Sequence, residues 1–257
     1  MTDTLAISLR AMQQDMARLE SISMNLANAT TPGYKRDIAT VRPAGIPAFA
    51  ETVDALRTHA PADVGAAGGS TLTVRTDDRP GTLKATGQRL DVALSAPGYF
   101  EVATESGPAY TRQGQWRLDA QGRLVTALGH PVIGQAGEIV LRHAEPFIDE
   151  SGQVFDGTPE GPGVEPLARL KVVRFDDPGT LQRIGDGLLL SAQAPAPVDA
   201  AEIEVRQGFL ENANVNSIQE MVHLIQSMRH FESMQRAAAS YDEMLGGAIR
   251  KLGEAVS

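Results

Sequence analysis

Residues 217–252 read SIQEMVHLIQSMRHFESMQRAAASYDEMLGGAIRKL, and apolar residues recur in this stretch every seven positions. Five consecutive heptad positions hold Leu224, Phe231, Ala238, Leu245 and Leu252. Further apolar residues widen the stripe, namely Met221, Met228, Met234, Tyr241 and Ile249. Ser217 and Glu220 fit a capping box, in which two side chains satisfy free backbone groups where a helix begins. The pattern predicts an amphipathic helix from Ser217 to about Leu252, which would reach about 50 Å.

The N-terminal segment, from Thr2 to Ala29, carries a matching heptad. Its positions are Leu5, Met12, Leu19 and Leu26, and Leu9 and Met16 are offset from them by four residues. This alternation of four and three residues is typical of a coiled-coil seam. Thr31 is expected to end the helix, because the following Pro32 pushes it out of helical geometry.

The two helices lie at opposite ends of the chain, and pairing them buries both apolar stripes. We therefore expect a coiled-coil assembly seam, formed within one chain and with copies from neighbouring molecules. The residues expected in this seam are Leu5, Met12, Leu19, Leu26, Leu224, Met228, Phe231, Leu245 and Leu252.

Between the helices the composition changes twice. Residues 32–76 are rich in Pro, Gly and Ala, which interrupt every apolar run, and we interpret them as an extended connector. Residues 77–205 alternate apolar and polar positions in short segments separated by Gly, Pro and Asp, as in Leu90, Val92 and Leu94. This pattern predicts an all-β sandwich or barrel that folds alone. The predicted organisation is thus a mixed α+β chain, with an N-terminal helix over 1–31, a connector over 32–76, a β domain over 77–205 and a C-terminal helical segment over 206–257.

Two short segments of the β domain resemble each other. Residues 116–124 read WRLDAQGRL, and residues 146–154 read PFIDESGQV. Each has an Asp and, three residues later, a Gly between two apolar runs, which is a turn signal because Asp bonds its own backbone and Gly accepts positive φ. Both segments are predicted to form β-hairpins.

Composition and charge exclude several classes of protein. A net charge of −9 argues against general binding of nucleic acid. The absence of cysteine removes disulfides, thiolate metal sites and cysteine nucleophiles. The sequence contains no apolar run of the length that spans a bilayer, so no membrane insertion is expected. Asp3 stands where a secretory signal carries a basic residue, so any export is expected to proceed without a cleaved signal peptide.

Common catalytic templates are absent from the sequence, and no cofactor, metal or catalytic residue is expected. His223 and His230 are seven residues apart on one helix face, about 10 Å by helical rise, which is too far for one metal ion. Carboxylate pairs occur at Asp77-Asp78 and at Asp176-Asp177, each beside a Pro-Gly turn. Turn formation explains both pairs, and a β domain that binds or cleaves cell-wall carbohydrate is the alternative that they leave open.

A motif at the N-terminus adds a family resemblance. Residues 23–35 read SMNLANATTPGYK, which resembles the motif shared by flagellar axial proteins of the rod, hook and hook-associated types. The motif positions matched here are Asn25, Leu26, Ala27, Asn28, Thr31, Pro32, Gly33 and Tyr34.

The C-terminal part of the chain agrees with this resemblance. Residues 207–216 read QGFLENANVN and are similar to the second family motif, with matches at Gly208, Leu210, Glu211, Asn214, Val215 and Asn216. Ala213 departs from the serine usual there. Residues 86–93, 98–100, 110–114 and 129–134 also resemble the family, so that only the connector is without a match.

The resemblance implies a structural, non-enzymatic subunit of the bacterial flagellar basal-body rod. Within the family, the length and the single β domain are similar to the rod proteins rather than to the longer hook protein. The connector lacks the aromatic, Gln-rich stretch associated with the distal rod protein, which favours the proximal rod protein related to it, and a distal rod or hook-type protein is the alternative. The implied partners are other rod subunits, copies of the chain itself and the flagellar type III export apparatus. The implied location is the rod that spans the periplasm.

Overall fold

The computed structural model describes residues 2–43, 70–143, 145–157 and 165–254. The α-helices of the described residues are α1 (Thr2–Ala27) and α2 (Ser217–Glu254), so both predicted helices are confirmed, with α2 beginning at the predicted residue. The chain divides into two compact units. The helical unit comprises Met1–Met24, Asp37–Arg75 and Ile218–Ser257, and the β unit comprises Asn25–Arg36 and Thr76–Ser217.

Short strands make up most of the β unit, as the period-two pattern predicts. The strands of the described chain are β1 (Asp37–Pro43), β2 (Ser70–Thr76), β3 (Leu83–Ala85), β4 (Val92–Leu94), β5 (Tyr99–Thr104), β6 (Gly107–Thr111), β7 (Trp116–Leu118), β8 (Leu124–Thr126), β9 (Ile133–Gly134), β10 (Gly137–Glu138), β11 (Phe147–Ile148), β12 (Gln153–Phe155), β13 (Ala168–Arg169), β14 (Val172–Arg174), β15 (Gln182–Gly185), β16 (Leu188–Leu190), β17 (Ala196–Pro197), β18 (Val205–Gln207) and β19 (Phe209–Glu211). A short 3-10 helix, Pro178–Thr180, precedes β15.

The largest sheet of the β unit is antiparallel, with six strands in the order β15-β16-β6-β5-β14-β17. Its centre is the β5–β6 pair, in which Phe100 lies opposite Thr111 and Val102 opposite Ala109. One apolar core gathers side chains from this sheet and from the smaller sheets around it, among them Val92, Phe100, Trp116, Leu124, Val132, Ile139, Val154, Leu170 and Val205. Phe100 packs edge-on against Trp116, with ring centroids 4.8 Å apart.

Both predicted hairpins are confirmed. β7 pairs with β8, and β11 pairs with β12, in antiparallel register. In the first turn, the Asp119 carboxylate accepts from the backbone N–H groups of Gln121 (2.9 Å) and Arg123 (2.8 Å). In the second turn, Asp149 accepts from the N–H of Gln153 at 2.7 Å. The two turn glycines, Gly122 and Gly152, have φ of 77° and 76°, so the two similar segments form turns of the same geometry.

The segment interpreted as a connector contains regular structure at both ends. β1 and β2 pair as a two-stranded sheet, and the residues between them lie outside the described part of the chain. The β unit also reaches beyond the predicted 77–205 interval, because β18 pairs with β4 and β19 pairs with β3. These two pairings carry the C-terminal motif into the β unit. The mixed fold class is confirmed, and the coiled-coil pairing of α1 with α2 stays a prediction.

Candidate functional site

The two family motifs meet inside the β unit, although they stand at opposite ends of the sequence. Asn25–Arg36, which we call the strap, begins in the last turn of α1 and belongs to the β unit. The backbone N–H of Gly33 donates to the carbonyl of Glu211 at 2.7 Å, and the N–H of Asp77 donates to the carbonyl of Arg36 at 2.7 Å. These bonds attach the strap to β19 and to Asp77, the residue that follows β2.

Glu211 is the buried charge on which the strap closes. Its Oε1 accepts from the Lys35 ammonium at 2.7 Å, and its Oε2 lies 3.2 Å from the Nε of Arg112. The three side chains are only 1–3% exposed. Burial lowers the pKa of Lys35, and the neighbouring Glu211 opposes that shift. Lys35 and Arg112, which are distant in sequence, thus share the Glu211 carboxylate. Lys35 also donates to the carbonyl of Arg79 at 2.9 Å.

Asn214 ties together three segments of the β unit with one side chain. Its Oδ1 accepts from the backbone N–H of Arg36 at 2.6 Å. Its Nδ2 donates to the carbonyls of Asp77 and Arg79, at 2.9 Å each. Its own N–H donates to the carbonyl of Tyr34 at 3.3 Å. An amide suits this position, because it offers both an acceptor and a donor.

Tyr34 and Gly33 fit the strap closely to its surroundings. The buried Tyr34 hydroxyl donates to the Oδ1 of Asn25 at 3.1 Å. The Arg183 guanidinium lies over the Tyr34 ring, 4.4 Å from its centroid, and donates to the carbonyl of Lys35. Gly33 has φ of +70°, and a Cβ at this position would lie 2.5 Å from the backbone of Arg112. The motif glycine is therefore required both by its conformation and by a backbone contact.

Helix α1 and helix α2 show two different faces in the helical unit. Most of the predicted seam residues whose side chains are described are half-buried: Met12, Leu19, Leu224 and Phe231. Met228 is the exception, with 49% exposure. Leu26 is also half-buried, but it belongs to the β unit. The side chains of Leu5, Leu245 and Leu252 lie outside the described residues.

A second apolar stripe runs along the solvent-facing side of each helix. On α2 it comprises Ile218, Met221, Val222, Ile225 and Met228, which recur at intervals of three and four residues. On α1 the exposed apolar residues are Leu9, Met16 and Met24. Ile218 is 77% exposed, and the others are roughly half exposed, so these stripes are uncovered in the free chain. Such contiguous apolar surface marks an interface.

Polar residues occupy part of the buried face of the helical unit. Asp15, Ser21, Glu220 and Ser227 are buried there. The Oδ2 of Asp15 lies 2.5 Å from the Nδ1 of His230, which connects the two helices through side chains. The sequence does not indicate the contact between His230 and Asp15, because it joins positions 215 residues apart.

The motif residues named from the sequence differ in burial. Asn25, Tyr34, Leu210 and Glu211 are buried, whereas Ala27 and Asn216 are exposed. The remaining ones are half-buried: Leu26, Asn28, Thr31, Pro32, Gly33, Gly208, Asn214 and Val215. Sequence reasoning did not single out Lys35, Arg112 and Arg183. For Lys35 and Arg112 the available signal was a charged residue inside a segment that matches the family, whereas Arg183 lies outside the matching segments.

The carboxylate pairs serve local structure. Asp77 binds the Arg79 guanidinium, which lowers the pKa of that carboxyl, and Asp78 accepts from the Tyr99 hydroxyl at 2.5 Å. Asp177 caps the 3-10 helix by accepting from the N–H of Gly179 at 3.2 Å. Within the described residues, no group of three or more acidic or histidine side chains could hold a metal ion. None of the described helices has the length and apolarity to cross a bilayer.

Three family models match the chain. The flagella basal body rod protein model matches residues 5–35, the flagellar hook protein FlgE/F/G D1 domain model matches residues 93–155, and the flagellar basal body rod FlgEFG protein C-terminal model matches residues 206–250. The first and third regions include the two motifs that meet at Glu211 and Asn214.

Full-length relatives agree with the models. The chain is 33% identical to the flagellar basal-body rod protein FlgF of Escherichia coli, over 98% of this chain and 99% of that protein. It is 32% identical to the flagellar basal-body rod protein FlgG of Agrobacterium fabrum, over 93% and 95% of the two chains. FlgG of Bacillus subtilis is 30% identical over 95% of this chain.

Proposed function

This chain belongs to the family of flagellar basal-body rod proteins, and we propose that it is a structural subunit of the rod that packs against its neighbours through its terminal helices. Relatives named FlgF and FlgG match at similar identity, and both names denote basal-body rod proteins. The assignment to the rod therefore does not depend on which of the two is closer.

The exposed apolar stripe of α2 is the observation that carries the packing proposal. Five apolar side chains between Ile218 and Met228 face solvent on one side of the helix, while Leu224 and Phe231 are half-buried on another. A helix with two apolar faces suits packing within its own chain on one face and against neighbouring subunits on the other. The neighbours proposed are other rod subunits and further copies of this chain.

We propose no chemistry for this protein. Three carboxylates of the acidic pairs that could suggest a carbohydrate-cleaving site have structural contacts: Asp77 binds Arg79, Asp78 accepts from the Tyr99 hydroxyl, and Asp177 caps the 3-10 helix. A structural role needs surfaces rather than reactive groups, and the apolar stripes supply them. The role of the motif residues is then to stabilise the folded chain that assembles.

Export through the flagellar type III apparatus, with the first helix retained, is part of the same proposal. The strap continues directly from α1, and Asn25 in the last turn of α1 accepts from the Tyr34 hydroxyl. Cleavage near residue 29 would separate these two residues and remove the N-terminal helix from the assembly. Mass spectrometry of purified basal bodies tests this, and a mature chain lacking α1 would contradict it.

Charge substitution on α2 tests the packing proposal. Leu224→Asp or Phe231→Asp places a carboxylate on the half-buried face of α2, in the proposed seam between the terminal helices, at a cost of several kcal/mol in every subunit. We expect the variant chain to be soluble, with an unchanged β unit, but absent from basal bodies, so that complemented deletion cells lack flagella and do not swim.

Gln226→Asp is the matched control, because Gln226 is an exposed polar residue of the same helix. It adds the same charge outside both apolar faces and should restore swimming. Full motility of cells that carry Leu224→Asp or Phe231→Asp would refute packing through this seam.

A further inference from the structure

We infer that docking of the strap (Asn25–Arg36) by Glu211 and Asn214 is a separate step from folding of the β core, and that this step makes the chain competent to join the rod. The inference rests on the proposed function for its second half only. It assigns to Glu211 and Asn214 the role of positioning residues, which act on assembly through the strap.

The attachment of the strap is polar, whereas the β core is apolar. The strap is held by the bonds from Gly33 to Glu211 and from Arg36 to Asn214, by the Lys35–Glu211 ion pair and by Arg183. The apolar core of the β unit draws its side chains from residues 90–205 and includes none from the strap. Loss of the strap contacts therefore leaves that core complete.

The strap is also the segment from which α1 leaves the β unit, and its two anchors directly precede α2. Glu211 is the last residue of β19, and α2 begins at Ser217, three residues after Asn214. Both helices that carry the apolar stripes thus emerge from segments joined at Glu211 and Asn214. An undocked strap would leave the end of α1 without a fixed position in the β unit.

Matched substitutions separate docking from folding. Asn214→Ala removes the acceptor for the Arg36 N–H and both donors to Asp77 and Arg79. Lys35→Met removes one cation and leaves Glu211 paired with Arg112, so it is the milder variant. Asn212→Ala is the control, because Asn212 is exposed, lies two residues from Asn214 and bonds only Thr82 through its side chain.

Hydrogen exchange on the purified full chain is the first measurement, with the amide of Gly33 as reporter. Its acceptor, the Glu211 carbonyl, is intact in all three variants, so a change in its exchange reports the strap itself. We expect this amide to exchange at least about tenfold faster in Asn214→Ala and Lys35→Met, and unchanged in Asn212→Ala. The amide of Val132, which bonds Leu124 in the core, should be unaffected in Lys35→Met. If Asn214→Ala unfolds the core as well, Lys35→Met carries the test.

Recovery in purified basal bodies is the second measurement, in deletion cells that express each variant at equal soluble level. We expect strap variants to be lost from basal bodies and Asn212→Ala to be retained. Unchanged Gly33 exchange in both strap variants would overturn the docking step, and normal incorporation of a variant with a loosened strap would overturn its role in assembly. Absence of the wild-type chain from basal bodies would instead refute the proposed function, while the exchange result would stand.

Discussion

The two units of this protein bury opposite kinds of side chain. The β unit encloses a large apolar core and leaves few apolar residues exposed, among them Leu128 and Ile184. In the described part of the helical unit, Ile22 is the one buried large apolar side chain, and the other buried side chains are polar. Many of its apolar residues face solvent along α1 and α2, and others are half-buried.

From this difference we expect the β unit to be stable by itself and the helical unit to depend on neighbours. Burial of apolar surface is the main favourable contribution to folding, and the β unit obtains it within one chain. The helical unit exposes part of that surface, which neighbouring subunits would cover under the proposed function. Substitutions in the two units should accordingly affect different measurements.

The largest loss of stability is expected at the buried charge that closes the β unit. Glu211→Ala leaves Lys35 and Arg112 buried without their carboxylate, which should cost about 3–5 kcal/mol in the free energy of unfolding. Urea titration followed by Trp116 fluorescence measures this, because Trp116 is the single tryptophan and lies in the β core. Glu204→Ala, at an exposed position, should change stability by less than about 0.5 kcal/mol.

A cavity in the apolar core should destabilise the β unit by a similar or smaller amount. Leu124 is fully buried, and Leu124→Ala is expected to cost about 2–5 kcal/mol. Leu128→Ala, two residues beyond the same strand and exposed, is the control and should be nearly neutral. Equal losses for the two substitutions would contradict the assignment of the core.

A steric contact of the strap should give an intermediate effect. Gly33 and Gly87 both have φ of +70°, but only Gly33 has backbone atoms within reach of an added Cβ. Gly87→Ala therefore measures the conformational cost alone, about 1–2 kcal/mol. Gly33→Ala should exceed it by about 1–3 kcal/mol, because the Arg112 backbone must shift. The free energies of unfolding of Gly33→Ala and Gly87→Ala, each measured by Trp116 fluorescence against the unsubstituted chain, give this difference.

The smallest effect on stability, but a large effect on assembly, is expected on the exposed stripe of α2. Ile225→Ser removes an apolar group that contacts solvent, so the unfolding free energy should change by less than about 0.5 kcal/mol. Concentration-dependent association, measured by analytical ultracentrifugation, should decrease because the side chain no longer packs against a neighbour. A marked loss of monomer stability would show that the stripe already packs within the chain.

Features fixed by local sequence were predictable. The start of α2 at Ser217 and the two Asp-x-x-Gly turns at Asp119 and Asp149 follow from residues a few positions apart. Helical periodicity and turn chemistry act over such distances, so a single sequence contains the signal.

Features that join distant segments were not predictable in the same way. The motif at 23–35 identifies the family, but nothing in it indicates that Lys35 pairs with Glu211, 176 residues away. The pairing of β1 with β2 was missed because the Pro- and Gly-rich residues between them dominate the composition of that segment. The shared Thr-Val-Arg of residues 40–42 and 73–75 was the available hint of two matching strands.

The Lys35–Glu211 pair depends on two distant parts of the chain. One partner lies near the N-terminus, and the other lies shortly before the last helix. A chain truncated between residues 112 and 211 retains both cations, Lys35 and Arg112, and lacks the carboxylate that pairs with them. We expect the strap of such fragments to be undocked and the fragments to be cleaved by proteases. The buried Lys35–Glu211 ion pair can therefore form only in chains that extend past residue 211.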